Sequence, residues 1–239
     1  MHGAPPPGYT PYNTSPYTAY TKRIGGLAKA LRILVIVVLV GNVATLLITL
    51  GERGKLADFL DGTVSESDAK SALAAIGGVG ALTSLAQLAT AVVTIIWMFR
   101  VAQNHRTLGR PGSTWAPGWA IGGWFCPPVL FVIPWLMFCE LWKGSTPNTI
   151  PNDPNWKRSP VSPIVHVWWV AYGLGGIAIA VAQLRSTGVG ANVTDAADFY
   201  RNSTGWIAAS AVVTVVSGVS FLLLISGLTN RQRALTGES

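Results

Sequence analysis

Ser71–Phe99 reads SALAAIGGVGALTSLAQLATAVVTIIWMF, 29 residues without a formal charge. A helix rises 1.5 Å per residue, so about 20 apolar residues already cross a hydrocarbon core about 30 Å thick. Outward from this run lie three more of similar purity, Leu31–Leu50, Ile164–Leu184 and Thr204–Leu228, with Arg32 at the edge of the first as their only formal charge. Half of the residues are hydrophobic and 11% are charged, far below the roughly 25% charged residues of soluble domains. One long buried helix of this kind fits a soluble fold, but four in one chain do not. The pattern predicts an all-α membrane protein with four transmembrane helices in two hairpins.

The polar stretches set its orientation. Residues 51–70 (GERGKLADFLDGTVSESDAK) carry five acids and read as a loop, with Ser65 and Asp68 as a capping box for the following helix. Residues 185–203 read as a second polar loop, with Asn-X-Thr sequons at Asn192 and Asn202 that matter only in a glycosylating pathway. With everything from Arg100 to Pro163 on one side, twelve Lys/Arg residues fall on that side and five on the other. Making residues 115–143 a fifth full span changes the split to nine and eight. The positive-inside rule selects the first solution and places both termini in the cytoplasm. The formal charge of +7 is thus topogenic, with no basic face of the kind that reads nucleic acid. Residues 1–21, rich in Pro, Gly, Thr and Tyr, have no apolar period and read as a disordered tail that could dock a protein partner; residues 22–239 form a single transmembrane domain.

Between the hairpins lies a Trp/Pro-rich segment. Nine of the ten tryptophans fall between Trp97 and Trp169, as expected of a block at the headgroup level. Pro127, Pro128 and Pro134 interrupt its apolar stretch, so residues 115–143 are expected to form a broken helical element, re-entrant or interfacial, in two halves, Trp115–Phe125 and Val129–Trp142. Gly118 and Gly122 offer one close-packing spacing.

Trp97-Met-Phe-Arg100, Asn104, Leu108-Gly109, Pro117-Gly-Trp119-Ala-Ile-Gly-Gly-Trp124-Phe125, Pro127-Pro128, Pro134, Glu140-Leu-Trp142 and Thr229-Asn-Arg231-Gln232 together resemble a bacterial membrane family catalogued as domain of unknown function 4328. The resemblance covers roughly residues 30–233, with Cys126-Pro-Pro as a departure where Ile-Pro is more usual. It implies a multi-span inner-membrane protein and no particular activity.

Several residues could carry chemistry or binding. Glu140, the one acid of the apolar central block, is either a functional carboxylate or the partner of Arg100 or Arg106, and the ion pair is favoured. His105 and His166 read as interfacial histidines, with no spacing for haem or a metal. Asn104 and Arg106 could hold a phosphate or lipid headgroup, against a helix cap and snorkelling arginines. Cys126 and Cys139 read as packing residues. Gln87, Thr90 and Thr94 share one face of the second span, and Ser210, Thr214 and Gly218 make a similar face on the last. No acid or lysine stands in mid-membrane, as an ion-coupled carrier would need, and no nucleotide loop, metal motif or nucleophile elbow is present.

The reading is a non-enzymatic module with no cofactor that binds lipid or a partner at Arg100, Asn104, His105, Arg106, Trp115, Trp119, Trp124, Glu140 and Trp142. The alternative is a small transporter or channel-like protein with a cavity between the hairpins. A lipid-acting enzyme using Glu140, His105 and Arg106 is the weakest of the three.

Overall fold

The computed structural model describes residues 20–125, 131–147, 149–150, 152–186 and 192–238, with side chains left out for 178–186. The expected tail is outside this set except for Tyr20 and Thr21, as are Cys126, Pro127 and Pro128. The described residues form helices and no strand: α1 (Gly25–Leu60), α2 (Glu66–Thr107), a single turn α3 (Trp119–Gly122), α4 (Ile133–Gly144), α5 (Pro163–Ser186) and α6 (Val193–Thr236). A 3-10 turn, Trp156–Arg158, precedes α5.

Three of these helices, α1, α2 and α6, are long and apolar enough to cross a membrane, and α5 presents a shorter apolar helix over Pro163–Ile177. Their outer faces are apolar: Val40 and Leu47 on α1, Leu82 and Leu85 on α2, Ile177 on α5 and Val212 on α6 are all more than half exposed. Such a belt suits a hydrocarbon solvent, since soluble monomers rarely expose a continuous apolar surface of this extent.

The long helices run past the apolar stretches that define them. At about 1.5 Å per residue, 36, 42 and 44 residues make helices of about 54, 63 and 66 Å, well over the thickness of a hydrocarbon core. The polar loop expected at 51–70 therefore contracts to residues 61–65, and the one expected at 185–203 gives up residues 193–203 to α6. The reason is a second, small core. Leu56 on α1, Ala69, Ala72 and Ile76 on α2, and Ala197 on α6 are buried together, with Phe59, Leu60, Leu73 and Tyr200 against them. Spacings of three and four put each set on one helical stripe. The caps are local: Ser65 Oγ accepts from the Asp68 N–H, and Asn192 Oδ1 accepts from the Asp195 N–H.

The helices are joined in an arc. α2 packs on α1, α1 on α6, and α6 on α5, whereas α2 and α5 barely touch. Close approach along the arc uses glycine: a Cβ on Gly41 would run into the Thr83 side chain of α2, and one on Gly218 would meet Leu39 of α1 at 2.5 Å. Contacts of α3 and α4 with α2, and of α4 with α5, bridge the open side of the arc at one end. That end carries Lys22, Arg23, Arg100, Arg106, Arg231 and Arg233 and is here the basic end; the opposite one, with loop 61–65, is the hairpin end.

The central block differs from two continuous halves. Of Trp115–Phe125 only Trp119–Gly122 is helical, and α4 begins at Ile133 with Pro134 in its first turn. There proline has no intrahelical donor to lose, so Pro134 starts a helix instead of interrupting one. Gly118 has nothing near its missing Cβ, and Gly122 has only Trp119 of its own turn, so the Gly118/Gly122 spacing makes no helix contact.

Candidate functional site

Most of the residues singled out in the sequence lie at the basic end, where they bind the backbone and side chains of neighbouring elements. Asn104, on the last turn of α2 and 1% exposed, holds the backbone of Lys22 from both sides. Its Oδ1 accepts from the Lys22 N–H at 2.7 Å, and its Nδ2 donates to the Lys22 carbonyl at 3.0 Å. Nδ2 also reaches Gln232 Oε1 on α6 at 3.3 Å, and Gln232 Nε2 donates to Ser145 Oγ at 2.7 Å. Ser145, closing α4, donates its own proton to Leu141 O at 2.7 Å. His105 Nε2 lies 3.1 Å from the same Oγ, and with that hydroxyl proton committed the ring nitrogen is the donor. One buried chain of hydrogen bonds thus ties the segment before α1 to α2, α4 and α6.

Other motif residues complete the lock. Arg100 donates to the Arg23 carbonyl at 3.1 Å. Arg110, buried, donates to Gly144 O at 2.8 Å and Ile150 O at 2.9 Å. Burial lowers its pKa from the ordinary arginine value, against the pull of Asp153. Gly109 has φ +62°, and a Cβ there would strike the Asn152 side chain. Gly144 abuts the His105 ring in the same way. The Arg231 guanidinium lies 4.3 Å from the centre of the Trp142 ring, which itself covers Gly227.

Glu140 takes neither of the arginines considered for it. Its Oε2 accepts from the Thr114 N–H at 2.9 Å and its Oε1 from the Trp115 N–H at 3.2 Å, so the carboxylate fastens the loop before α3 to α4. His105, Arg106, Trp115 and Glu140 do line one cavity, but its volume of about 10 Å³ holds about one water. A lipid substrate has no room there. Arg106 is exposed and, with Lys22, Phe99 and Gln103, lines a separate groove of about 540 Å³ that also touches Pro117 and Gly118.

The tryptophans are not an open shelf. Trp97, Trp142, Trp156 and Trp168 are buried; Trp115, Trp124, Trp135 and Trp169 are half-buried, and Trp119 is 42% exposed. Phe138 of α4 sits among Trp97, Trp168 and Phe221, and Trp168 stacks on Phe221 at 5.2 Å and on Tyr172 at 5.4 Å. His166, on the exposed side, accepts from Trp135 Nε1 at 3.2 Å. This aromatic cluster is the core of the basic end.

Beyond it lies a half-open cavity of about 510 Å³ between α2 and α5. Gln87, Thr90 and Thr94 line it from α2, Tyr172 and Gly176 from α5, and Thr214 and Gly218 from α6. Trp124, Phe125 and Phe131 of the central block border it at the basic end. Among the described residues no Asp, Glu, Lys, Arg or His lines it. Thr90, Thr94 and Thr214 spend their hydroxyl protons on carbonyls four residues back, at 2.7, 2.7 and 2.9 Å, so they offer the cavity acceptors only. Among the described residues no group of three His, Cys, Asp or Glu side chains could hold a metal ion.

Among the described residues, an all-helical bundle with an apolar exterior and three helices able to cross a membrane defines a helical membrane-protein class. The family model described as "Domain of unknown function (DUF4328)" matches residues 60–230, more than half of the chain, and the chain belongs to that family. No curated protein and no solved structure matches it. Residues of the lock with little sequence signal lie in loops or at helix ends: Ser145, Arg110, and Glu238, whose carboxylate accepts from the Ile24 and Gly25 N–H groups; only the Leu108-Gly-Arg-Pro-Gly turn offered a signal.

Proposed function

We propose that this protein is a four-span bacterial inner-membrane module, both termini cytoplasmic, that binds lipid and catalyses no reaction. The cavity between α2 and α5 carries the reading. It is large, uncharged and bordered by aromatic rings, the usual make-up of a site for an apolar ligand. The motif residues support it in a second way. Asn104, Glu140, Gln232 and Arg100 are all spent on internal hydrogen bonds, so they shape the bundle instead of meeting a substrate. The lipid site thus moves from the Trp-rich face to the space beside it.

α5 supplies the fourth span in this reading. Val167, Val170, Leu174 and Ile177 form an exposed apolar face like those of the three longer helices. Single cysteines at Thr63 and Lys157, in a background lacking Cys126 and Cys139, test the topology with a membrane-impermeant maleimide added outside the cell. Labelling at Thr63 alone is expected; labelling at Lys157 would refute the four-span layout.

For lipid binding, the wild type and Ala91→Phe, whose ring would fill the cavity from α2, are purified in mild detergent and their retained lipid is measured. The wild type is expected to retain lipid that the variant loses at equal thermal stability. Equal retention would remove the cavity from the account. A small-transporter reading rests on one further observation: segment 116–125 borders the cavity at Trp124 and the Arg106 groove at Pro117. Flux of a lipid between leaflets of proteoliposomes would favour it.

A further inference from the structure

We infer that the cavity selects an uncharged, chain-bearing lipid with a carbonyl or hydroxyl oxygen, admitted sideways between α2 and α5 and recognised by the amide of Gln87; this rests on the lipid-binding reading above. The selection follows from what the cavity lacks and what it leaves unspent. Among the described residues it has no charged lining group, so a phosphate or ammonium brought to that depth would lose its hydration with no counter-charge among them to meet it.

Gln87, exposed on α2 where the helix lines the cavity, is the unspent amide, beside the Ser217 and Tyr172 hydroxyls. It stands 12 residues before Phe99, where the apolar run ends, and thus about 18 Å into a core about 30 Å thick. Among the described residues its side chain has no hydrogen-bond partner, while the threonines around it are all satisfied within their own helices. An amide left unpaired in hydrocarbon costs several kcal/mol. A ligand oxygen accepting from Nε2 removes that cost, and a ligand hydroxyl would also find Oε1. The Trp124 ring also lines the cavity. The aromatic border at the basic end and the exposed Phe125 (71%) beside it suit an apolar chain leaving toward the bilayer.

The entry follows from the arc. α1 and α6 close the back of the cavity, and α3 and α4 bridge the front only at the basic end. α2 and α5 face each other across the cavity with few contacts, which leaves a slot between them.

The test uses the full chain in detergent micelles and two probes with the same brominated acyl chains, a diacylglycerol and a phosphatidylglycerol. Bromine quenches nearby tryptophan fluorescence, and Trp124 and Trp168 line the cavity. Saturable quenching is expected for the diacylglycerol, at least tenfold tighter than for the phosphatidylglycerol. Gln87→Leu should weaken diacylglycerol binding about tenfold, and Gln87→Asn should restore part of it. Equal affinities of the wild type for the two probes, or a diacylglycerol affinity untouched by Gln87→Leu, would overturn the inference. Should Ala91→Phe leave all quenching in place, the cavity reading itself fails, a distinct outcome. If Gln87→Leu instead splits an oligomer seen by light scattering, Gln87 serves a helix partner and the inference falls.

Discussion

The two ends of this bundle are held together by different physics. At the basic end, side chains bind the backbone of distant elements: Asn104 holds Lys22, Arg110 holds Gly144, Glu140 holds residues 114 and 115, and Glu238 holds the start of α1. At the hairpin end, alanines and leucines pack against one another. The ion pairs there, Glu52–Lys55, Glu66–Lys70 and Arg201–Asp61, are on the surface. Buried hydrogen bonds to backbone are directional and costly to leave unmade, while exposed ion pairs contribute about 0–1 kcal/mol. One end is therefore specified by geometry and the other by apolar area.

Substitutions can break that contrast. Asn104→Ala should have the largest effect, about 3 kcal/mol, because it frees the part-buried Lys22 backbone and strands the buried Gln232 Oε1. Reversible unfolding by dodecyl sulfate in mixed micelles measures it. Leu56→Ala removes the largest fully buried side chain of the hairpin-end core, at about 2.5 kcal/mol. Hydrogen exchange should rise around residues 48–76 and 193–200 and stay unchanged near Asn104; a rise at both ends would show that they unfold together. Gly144→Ala forces a methyl onto the His105 ring, about 2 kcal/mol of overpacking, visible as a lower midpoint in the same titration.

Glu238→Ala uncaps α1 and should cost about 1 kcal/mol, with faster exchange confined to the amides of residues 24–28. Arg201→Ala should change stability by less than about 0.5 kcal/mol, since its pair with Asp61 is solvent-screened. A cost above about 1 kcal/mol there would mean that geometry, not area, also rules the hairpin end.

How much of this could be read beforehand differs between the same two regions. The apolar runs were plain, as was the Ser65 cap, and helical spacing alone put Gln87, Thr90 and Thr94 on the face that lines the cavity. The helical extensions were hidden because five acids in residues 51–70 outweighed the stripe of Leu56, Phe59 and Leu60. Their partners sit on other helices, and only packing makes the stripe visible. The lock was hidden for another reason. Asn104 and Glu140 stood out as polar groups in apolar surroundings, but their partners are main-chain amides and carbonyls, which every residue carries and no motif marks.

The clasp at Glu238 has a consequence for how the protein is made. Its two carboxylate oxygens each accept, at 2.9 Å, from the N–H groups of Ile24 and Gly25, while Arg233 steadies the Glu238 carbonyl at 3.1 Å. The residues that finish the first helix are thus translated more than 200 positions after it. During synthesis α1 must enter its surroundings with bare leading amides, and its closure waits for α6 to be delivered. Assembly therefore closes at α1 only after α6 has been made, and a chain released before residue 238 would carry an unfinished α1.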